Sequence, residues 1–204
     1  MSYTYIYEEK NKNHPTFVLL HGTGGQETDL LKVANWLDDS YNILAVRGDV
    51  EENGNLRFFR RNGHGNYDIE DLNQRGKALY QFIEKFAREN ALDISKVIPV
   101  GFSNGSNIAI NMLLRDDSSF KKAILMAPMY PVELSEGLDL SDLTVFLSMG
   151  KQDPITPLSD SENVIDIFES RGAQVTKHWT QGHQITQDVL KDAKNFINEI
   201  SEIK

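Results

Sequence analysis

Two spacings of apolar residues alternate along the chain. Thr16–Leu20 reads Thr-Phe-Val-Leu-Leu and stops at His21-Gly22. A run without polar alternation is what a strand looks like when helices cover both sheet faces. Leu30, Val33, Ala34 and Leu37 then recur at helical spacing, which predicts a helix over Asp29–Leu37 with one buried face. Tyr41–Val46 returns to strand character, and the alternating, β-rich Tyr3–Tyr7 predicts an earlier strand. Beyond Asp68 a helix carries Leu72, Leu79, Ile83 and Phe86 on one face and ends at Asn90-Ala91-Leu92. A strand over Val97–Val100 precedes a helical stripe of Gly105, Ile108, Ala109, Met112 and Leu113. Strands follow over Ala123–Met126 and Leu143–Ser148, then a helix over Ser161–Arg171 stopped by Gly172 at its C′ position. A strand over Gln174–Trp179 and an amphipathic helix through Val189, Ala193, Phe196, Ile197 and Ile200 complete the pattern.

One stretch breaks it. Glu51–Asp68 holds Gly54, Gly63 and Gly65 and the run Arg57-Phe58-Phe59-Arg60-Arg61, with no period. It predicts a long excursion over one end of the sheet, and loops of that length in a compact domain are often functional.

Strands alternating with helices predict an α/β fold, a mostly parallel central sheet with helices on both faces. Chemistry in such folds sits at the carboxyl ends of the strands. With 204 residues, no repeat and no Pro/Gly/Ser-rich linker, the chain reads as one domain over residues 1–204. The absence of Cys removes disulfides, thiolate metal sites and a Cys nucleophile. A net charge of −9 disfavours nucleic acid and anionic lipid as partners. No apolar run approaches the ~18 residues of a membrane span. Met1–His14 mixes polar and aromatic residues and lacks an apolar secretory stretch, so a cytoplasmic location without stable membrane insertion is expected.

The positions just after each apolar run carry the candidate chemistry. After Val97–Val100 comes Gly101-Phe102-Ser103-Asn104-Gly105, a G-x-S-x-G with a strand before it and a helix after it. That is the context of a nucleophile elbow, in which a sharp turn lifts Ser103 Oγ above the sheet and small neighbours leave room for the backbones. A serine hydroxyl needs a base. The chain order for this elbow is Ser, acid, His. Of the five His, His183 lies after the Ser on a loop that follows a strand. His14 and His21 precede the elbow, His64 lies in the excursion, and His178 falls within a strand. Asp153 follows the Leu143–Ser148 strand and is expected to orient His183, while also capping the turn before Pro154. Asp142 and Asp160 fit capping roles instead. A second oxyanion donor is expected from His21-Gly22-Thr23-Gly24-Gly25, making the Thr23 and Asn104 N–H groups the candidate pair. No Gly-Lys-Ser/Thr follows this loop and Glu27 stands where a dinucleotide fingerprint needs Gly, so a phosphate cradle is not indicated. His21 is expected to hold loop backbone. The Arg57–Arg61 run offers two readings. One is recognition of an anionic substrate, with Phe58 and Phe59 lining an apolar acyl or aryl pocket. The other is a solvated charged loop, which is favoured for the arginines because charge runs are usually solvated. Phe58, Phe59, Arg60 and Met129 are the candidate pocket residues.

The set His21-Gly-Thr-Gly24, Gly101-Phe-Ser-Asn-Gly105, Gly150-Lys-Gln-Asp153-Pro and Gly182-His183 resembles the α/β-hydrolase superfamily over nearly the whole chain. Its compactness resembles the phospholipase/carboxylesterase family, which includes acyl-protein thioesterases. The resemblance implies triad roles for Ser103, Asp153 and His183 and oxyanion-hole roles for Thr23 and Asn104. It also implies cofactor-free hydrolysis of carboxylic esters or thioesters, and a homodimer is common in the family. Arg47-Gly48-Asp49, Asn53-Gly54 and Arg57-Phe58-Phe59 are similar to a subgroup of small bacterial hydrolases, some linked to quinone stress, which implies a small or aromatic ester. Asn104 departs from the Gln that many acyl-protein thioesterases carry, and the stretch from Ala127 to Leu143 is too short for a separate lid. Two other classes stand beside the esterase: a small-ligand-binding protein on a hydrolase scaffold, and an acyltransferase on the same fold.

Overall fold

A computed structural model describes residues 3–63, 66–134 and 137–202, with side chains described through residue 199. His64, Gly65 and the Ile200 side chain therefore lie outside the described residues. In chain order the elements are β1 (Tyr5–Glu8), β2 (Thr16–Leu20), α1 (Leu31–Leu37), β3 (Asn42–Val46), β4 (Val50–Glu52), β5 (Asn55–Arg57) and α2 (Ile69–Glu89). Then come β6 (Val97–Phe102), α3 (Asn104–Leu113), β7 (Lys122–Met126), β8 (Thr144–Gly150), α4 (Leu158–Glu169), β9 (Gln174–Thr180) and α5 (Gln187–Glu202).

The continuous apolar runs become the inner strands. The main sheet has the order β1-β3-β2-β6-β7-β8-β9. Only β1 is antiparallel, pairing Tyr5 with Val46 through Glu8 with Ile43. β2 and β3 are buried at every position, as strands covered on both faces must be. On one face α2, α3 and α4 bring Leu72, Leu79, Ile83, Ile108, Val164 and Phe168 against Val18, Leu20, Leu125 and Leu147. On the other, α1 and α5 bring Ala34, Leu37, Val189, Ala193 and Phe196 against Phe17, Leu19, Ile98 and Phe146. Each fully buried Leu, Val or Phe side chain contributes about 1.5–3 kcal/mol, so these two layers carry the fold.

The order in which strands join the sheet reverses between β2 and β6. The chain runs outward from β2 to β3, then returns to place β6 on the other flank of β2, registering Thr16 with Val97 and Leu20 with Gly101. The crevice at the carboxyl ends of such a pair is where parallel α/β sheets bind their ligands.

Helix ends follow local chemistry. Asp68 caps α2 by accepting from the Asp71 N–H at 3.0 Å. Gly172 ends α4 as expected: with φ +88° it lets Ala173 N–H reach the Phe168 carbonyl at 3.1 Å and its own N–H reach Glu169 at 3.1 Å. α4 begins at Leu158, ahead of the predicted Ser161, because Pro157 accommodates the entry turn.

The 51–68 stretch departs from the expectation of an irregular excursion. β4 and β5 form a hairpin, pairing Val50 with Arg57 and Glu52 with Asn55. Asn53 (φ 53°) and Gly54 (φ 79°) make its two-residue turn. Two successive positive φ angles define the hairpin turn whose twist suits its strands, and Asn-Gly is its strongest sequence signal. An isolated bridge between Arg61 and Tyr67 closes the remainder.

Candidate active site

Ser103 stands at the end of β6 with φ 51° and ψ −116°, a conformation that a non-Gly residue holds only under local constraint. Its N–H donates to the Met126 carbonyl at 2.8 Å, so β7 pins the turn from one side. Close packing pins it from the other. A Cβ on Gly105 would sit 1.9 Å from the Leu20 carbonyl oxygen, and one on Gly101 would sit 2.6 Å from Ser106 N. The spaced glycines of the motif are there because β2, β6 and α3 approach to backbone contact.

Asp153 follows β8 and His183 follows β9. His183 Nε2 lies 2.9 Å from Ser103 Oγ, and His183 Nδ1 lies 2.6 Å from Asp153 Oδ2. The Asp153 side chain is fully buried and that of His183 is 11% exposed. Asp153 Oδ1 also accepts the Ile155 and Thr156 N–H groups at 2.7 and 3.0 Å. One carboxylate thus bonds both the imidazole and the turn after β8.

The loop after β2 is tied down from several sides. His21 is 1% exposed, and its Nε2 accepts the Gly48 N–H at 3.0 Å while its Nδ1 lies 2.7 Å from the Gly22 carbonyl. Those partners suit the neutral Nδ1–H tautomer. Burial pushes the His21 pKa down, against the Gly22 carbonyl and the nearby Asp29 and Glu27, which favour the charged form. Arg47 makes a two-pronged pair with Glu27, its Nη2 to Oε1 distance being 2.7 Å. Asp49 binds Arg75 at 2.6 Å. A Cβ on Gly48 would meet the Arg57 carbonyl at 2.3 Å. The Arg-Gly-Asp segment is therefore a clamp joining the 21–27 loop, the hairpin and α2.

Ser103, Thr23 and Asn104 line one small cleft of about 90 Å³, together with Arg57, Arg61, Tyr67, Asn107 and Met129. Asn104 joins the elbow to the hairpin: it is 2% exposed, and its Oδ1 accepts the Phe58 N–H at 2.8 Å. One turn on, Asn107 donates to Tyr67 OH at 2.6 Å and accepts the Met129 N–H at 2.8 Å, while Tyr67 OH donates to the Met129 carbonyl at 3.1 Å. Burial pushes the Tyr67 phenol well up, so it stays protonated as this network requires.

The pocket expected from the sequence is corrected here. Met129 does line the cleft. Phe58 and Phe59, 2% and 0% exposed, are core residues beneath the hairpin, because burying two rings outweighs lining a polar cleft. Arg60 is exposed and reaches Asp71 at 3.9 Å. Arg57, expected in solvent, is 3% exposed and donates to Thr23 Oγ1 at 2.7 Å and to the Phe59 carbonyl at 3.3 Å. Sequence reasoning missed Tyr67, Asn107 and the Asn104 side chain. The available signal was Asn104, Asn107 and Asn111 recurring at helical spacing within an otherwise apolar α3. The remaining described histidines stay away from the site: His14 lies 3.0 Å from the Ser40 carbonyl, and His178 pairs with Asp192 at 2.7 Å. Asp142 pairs with Lys121 at 2.9 Å, and Asp160 sits in the first turn of α4. No cluster of metal-ligating side chains occurs among the described residues, and no helix among them is long and apolar enough to cross a membrane.

Known proteins share this fold. The sequence profile of the Phospholipase/Carboxylesterase family matches residues 56–201. MhqD of Bacillus subtilis (strain 168), a provisionally named hydrolase, is 39% identical over 196 residues, covering 96% of this chain and 98% of its own. The crystal structure of the Bacillus cereus carboxylesterase superimposes with a TM-score of 0.92 at 38% identity, covering 97% of this chain and 94% of that one. A structure of YahD with malic acid also gives a TM-score of 0.92, at 32% identity, covering 97% and 99%. The fold is therefore that of the α/β-hydrolases, and the chain belongs to the phospholipase/carboxylesterase family of enzymes that hydrolyse ester bonds.

Proposed function

We propose that Ser103 is the nucleophile of a cofactor-free hydrolase for small carboxylic esters, with His183 as its base and Asp153 as the group that orients His183. The observation that carries this reading is the unbroken path from Asp153 Oδ2 through the His183 ring to Ser103 Oγ, at 2.6 and 2.9 Å. Both distances are within the reach that proton transfer requires. Ser103 Oγ attacks the ester carbonyl carbon as its proton passes to His183 Nε2. The negative charge gathers on the carbonyl oxygen, which the Thr23 and Asn104 N–H groups receive. The Asn104 N–H lies in the first turn of α3, where helix N–H groups lack intrahelical acceptors and the helix dipole favours an anion. The carbon–oxygen bond to the alcohol breaks, and the alcohol leaves with the proton from His183. Water then attacks the acyl-enzyme, gives its proton to His183, and the acid departs as Ser103 regains its hydrogen.

The cleft favours short acyl or aryl groups. At about 90 Å³ it lies well below the roughly 300–1,000 Å³ of common small-molecule pockets. Thioesters of the same short acids form a second substrate class for the same chemistry. The reading takes the chain as one domain working in the cytoplasm, and sedimentation of the purified protein tests the homodimer common in the family.

The deciding experiment is intact mass after treatment with a fluorophosphonate, beside Ser103→Ala. One adduct on the wild type and none on the variant is the expected result. A folded wild type that takes up no label overturns the reading in favour of a ligand-binding protein. Products formed with competing alcohols separate hydrolysis from acyl transfer.

A further inference from the structure

The cleft beside Ser103 is rich in donors and short of acceptors. Arg57 and Arg61 both line it, and among the described residues no carboxylate does. Arg61 is paired with Glu52, donating from Nε and Nη2 to Oε2 at 2.9 and 2.6 Å. Arg57 shares the same carboxylate oxygen only at 3.6 Å. Among the described residues two guanidinium groups thus face a single carboxylate, leaving one positive charge over. Of the five N–H donors of Arg57, two are used among those residues, on Thr23 Oγ1 and the Phe59 carbonyl. Burial, then the neighbouring Arg61, act against this charge, and Glu52 offsets them in part. Asp153 offers no relief, being committed to His183 and to two backbone N–H groups. A second donor stands unpaired in the same wall. Asn104 Nδ2 is buried and without a partner, because the Asn104 amide is fixed by its Oδ1 to the Phe58 N–H. Buried polar groups are nearly always paired, so an orphan donor beside an under-compensated cation asks for an acceptor-only ligand.

We propose that this cleft receives the carboxylate of an anionic ester, with Arg57 as its binding residue and Asn104 Nδ2 as a supporting donor. The inference rests on Ser103 being the nucleophile and adds the substrate class: an ester with a carboxylate a few bonds from the scissile carbonyl, on the acyl or the alcohol side. An overall charge of −9 would repel such a substrate, so its recognition falls to this local reversal of sign. A planar guanidinium matches a planar carboxylate, and the small cleft limits the spacer to a few carbons.

The test uses two pairs matched in size and differing in charge. On the acyl side, 4-nitrophenyl hemisuccinate is compared with 4-nitrophenyl 4-methylpentanoate; on the alcohol side, O-acetylglycolate is compared with isobutyl acetate. Ser103→Ala supplies the background for each. The expected result is a kcat/KM on the order of tenfold higher for the charged member of one pair, which identifies the side that carries the carboxylate. In Arg57→Met the ratio falls to about one or below, whatever happens to the absolute rate, and Arg57→Lys keeps part of it. Wild-type ratios near one or below in both pairs overturn the proposal, as does a preference that survives in Arg57→Met. The wild-type ratios decide the substrate class even if the Met variant fails to fold, and Arg57→Lys then tests the residue. Turnover of the neutral esters without preference rejects the anionic class alone. No turnover of any of the four, with no fluorophosphonate adduct, rejects the nucleophile assignment instead.

Discussion

The elbow that carries Ser103 and the hairpin wall that faces it meet at Asn104 yet are held by a different balance of contacts. The elbow is backbone packed against backbone: Gly105 beneath the Leu20 carbonyl, Gly101 against Ser106 N, and the Ser103 N–H on Met126. The wall has main-chain contacts too, the Gly24 N–H on the Leu56 carbonyl and Gly48 against Arg57, but adds side-chain bonds from distant positions, Asn104 to Phe58, Arg57 to Thr23 and His21 to Gly48. The difference teaches where each kind of change is tolerated. A contact between main chains has no slack, whereas a side-chain tether can be cut and leaves a defined, smaller loss.

Substitutions at the two regions sharpen that contrast. The largest effect is on chemistry: Ser103→Ala lowers kcat on the order of 10⁶-fold with little change in melting temperature, measured as ester turnover beside a thermal scan. Next comes the platform itself. Gly105→Ala places a methyl group 1.9 Å from the Leu20 carbonyl oxygen, so a loss of about 3 kcal/mol or more is expected in denaturant unfolding. A stability equal to wild type would show that the elbow has slack after all. Cutting the wall at Asn104→Ala strands the buried Phe58 N–H and costs about 1–3 kcal/mol. Because the Asn104 main-chain N–H remains, fluorophosphonate labelling persists in this variant while KM rises.

The His21 tether makes the wall sensitive to pH. Burial holds the His21 pKa below its ordinary 6.5, so the unfolded chain binds the proton first as pH falls. The stability contributed by neutral His21 is present above pH 6.5 and is lost as pH drops from there toward the lowered folded value. The slope is at most about 1.4 kcal/mol per pH unit. Melting temperatures from pH 8 to 5 should show a decline for the wild type and a shallower one for His21→Asn. The smallest effect belongs to the hairpin turn. Gly54 has φ 79° and open space around it, so Gly54→Ala is a backbone effect alone, about 1 kcal/mol and without consequence for the elbow.

The same contrast explains what could be read from the sequence. Runs such as Thr16–Leu20 and the G-x-S-x-G turn are local patterns with local causes, and they place Ser103, Asp153 and His183 at strand ends without any knowledge of distance. Their meeting through the His183 ring adds what spacing alone does not contain. The wall has no period because its tethers join positions as far apart as Thr23 and Arg57 or Phe58 and Asn104. Phe58 and Phe59 looked like pocket residues from their neighbours, but the core beneath the hairpin claimed them. The Asn53-Gly54 pair was a local signal for a hairpin, hidden in a stretch that otherwise reads as irregular.

The spread of the site along the chain has a consequence for synthesis. His183 lies 80 positions after Ser103. At translation rates of roughly 5–20 residues per second, the serine is made some 4–16 s before the imidazole proposed to activate it. Until β9 has joined the edge of the sheet, the nascent chain carries a hydroxyl of ordinary reactivity. On the proposed roles of Ser103 and His183, hydrolytic activity switches on only as the sheet is completed.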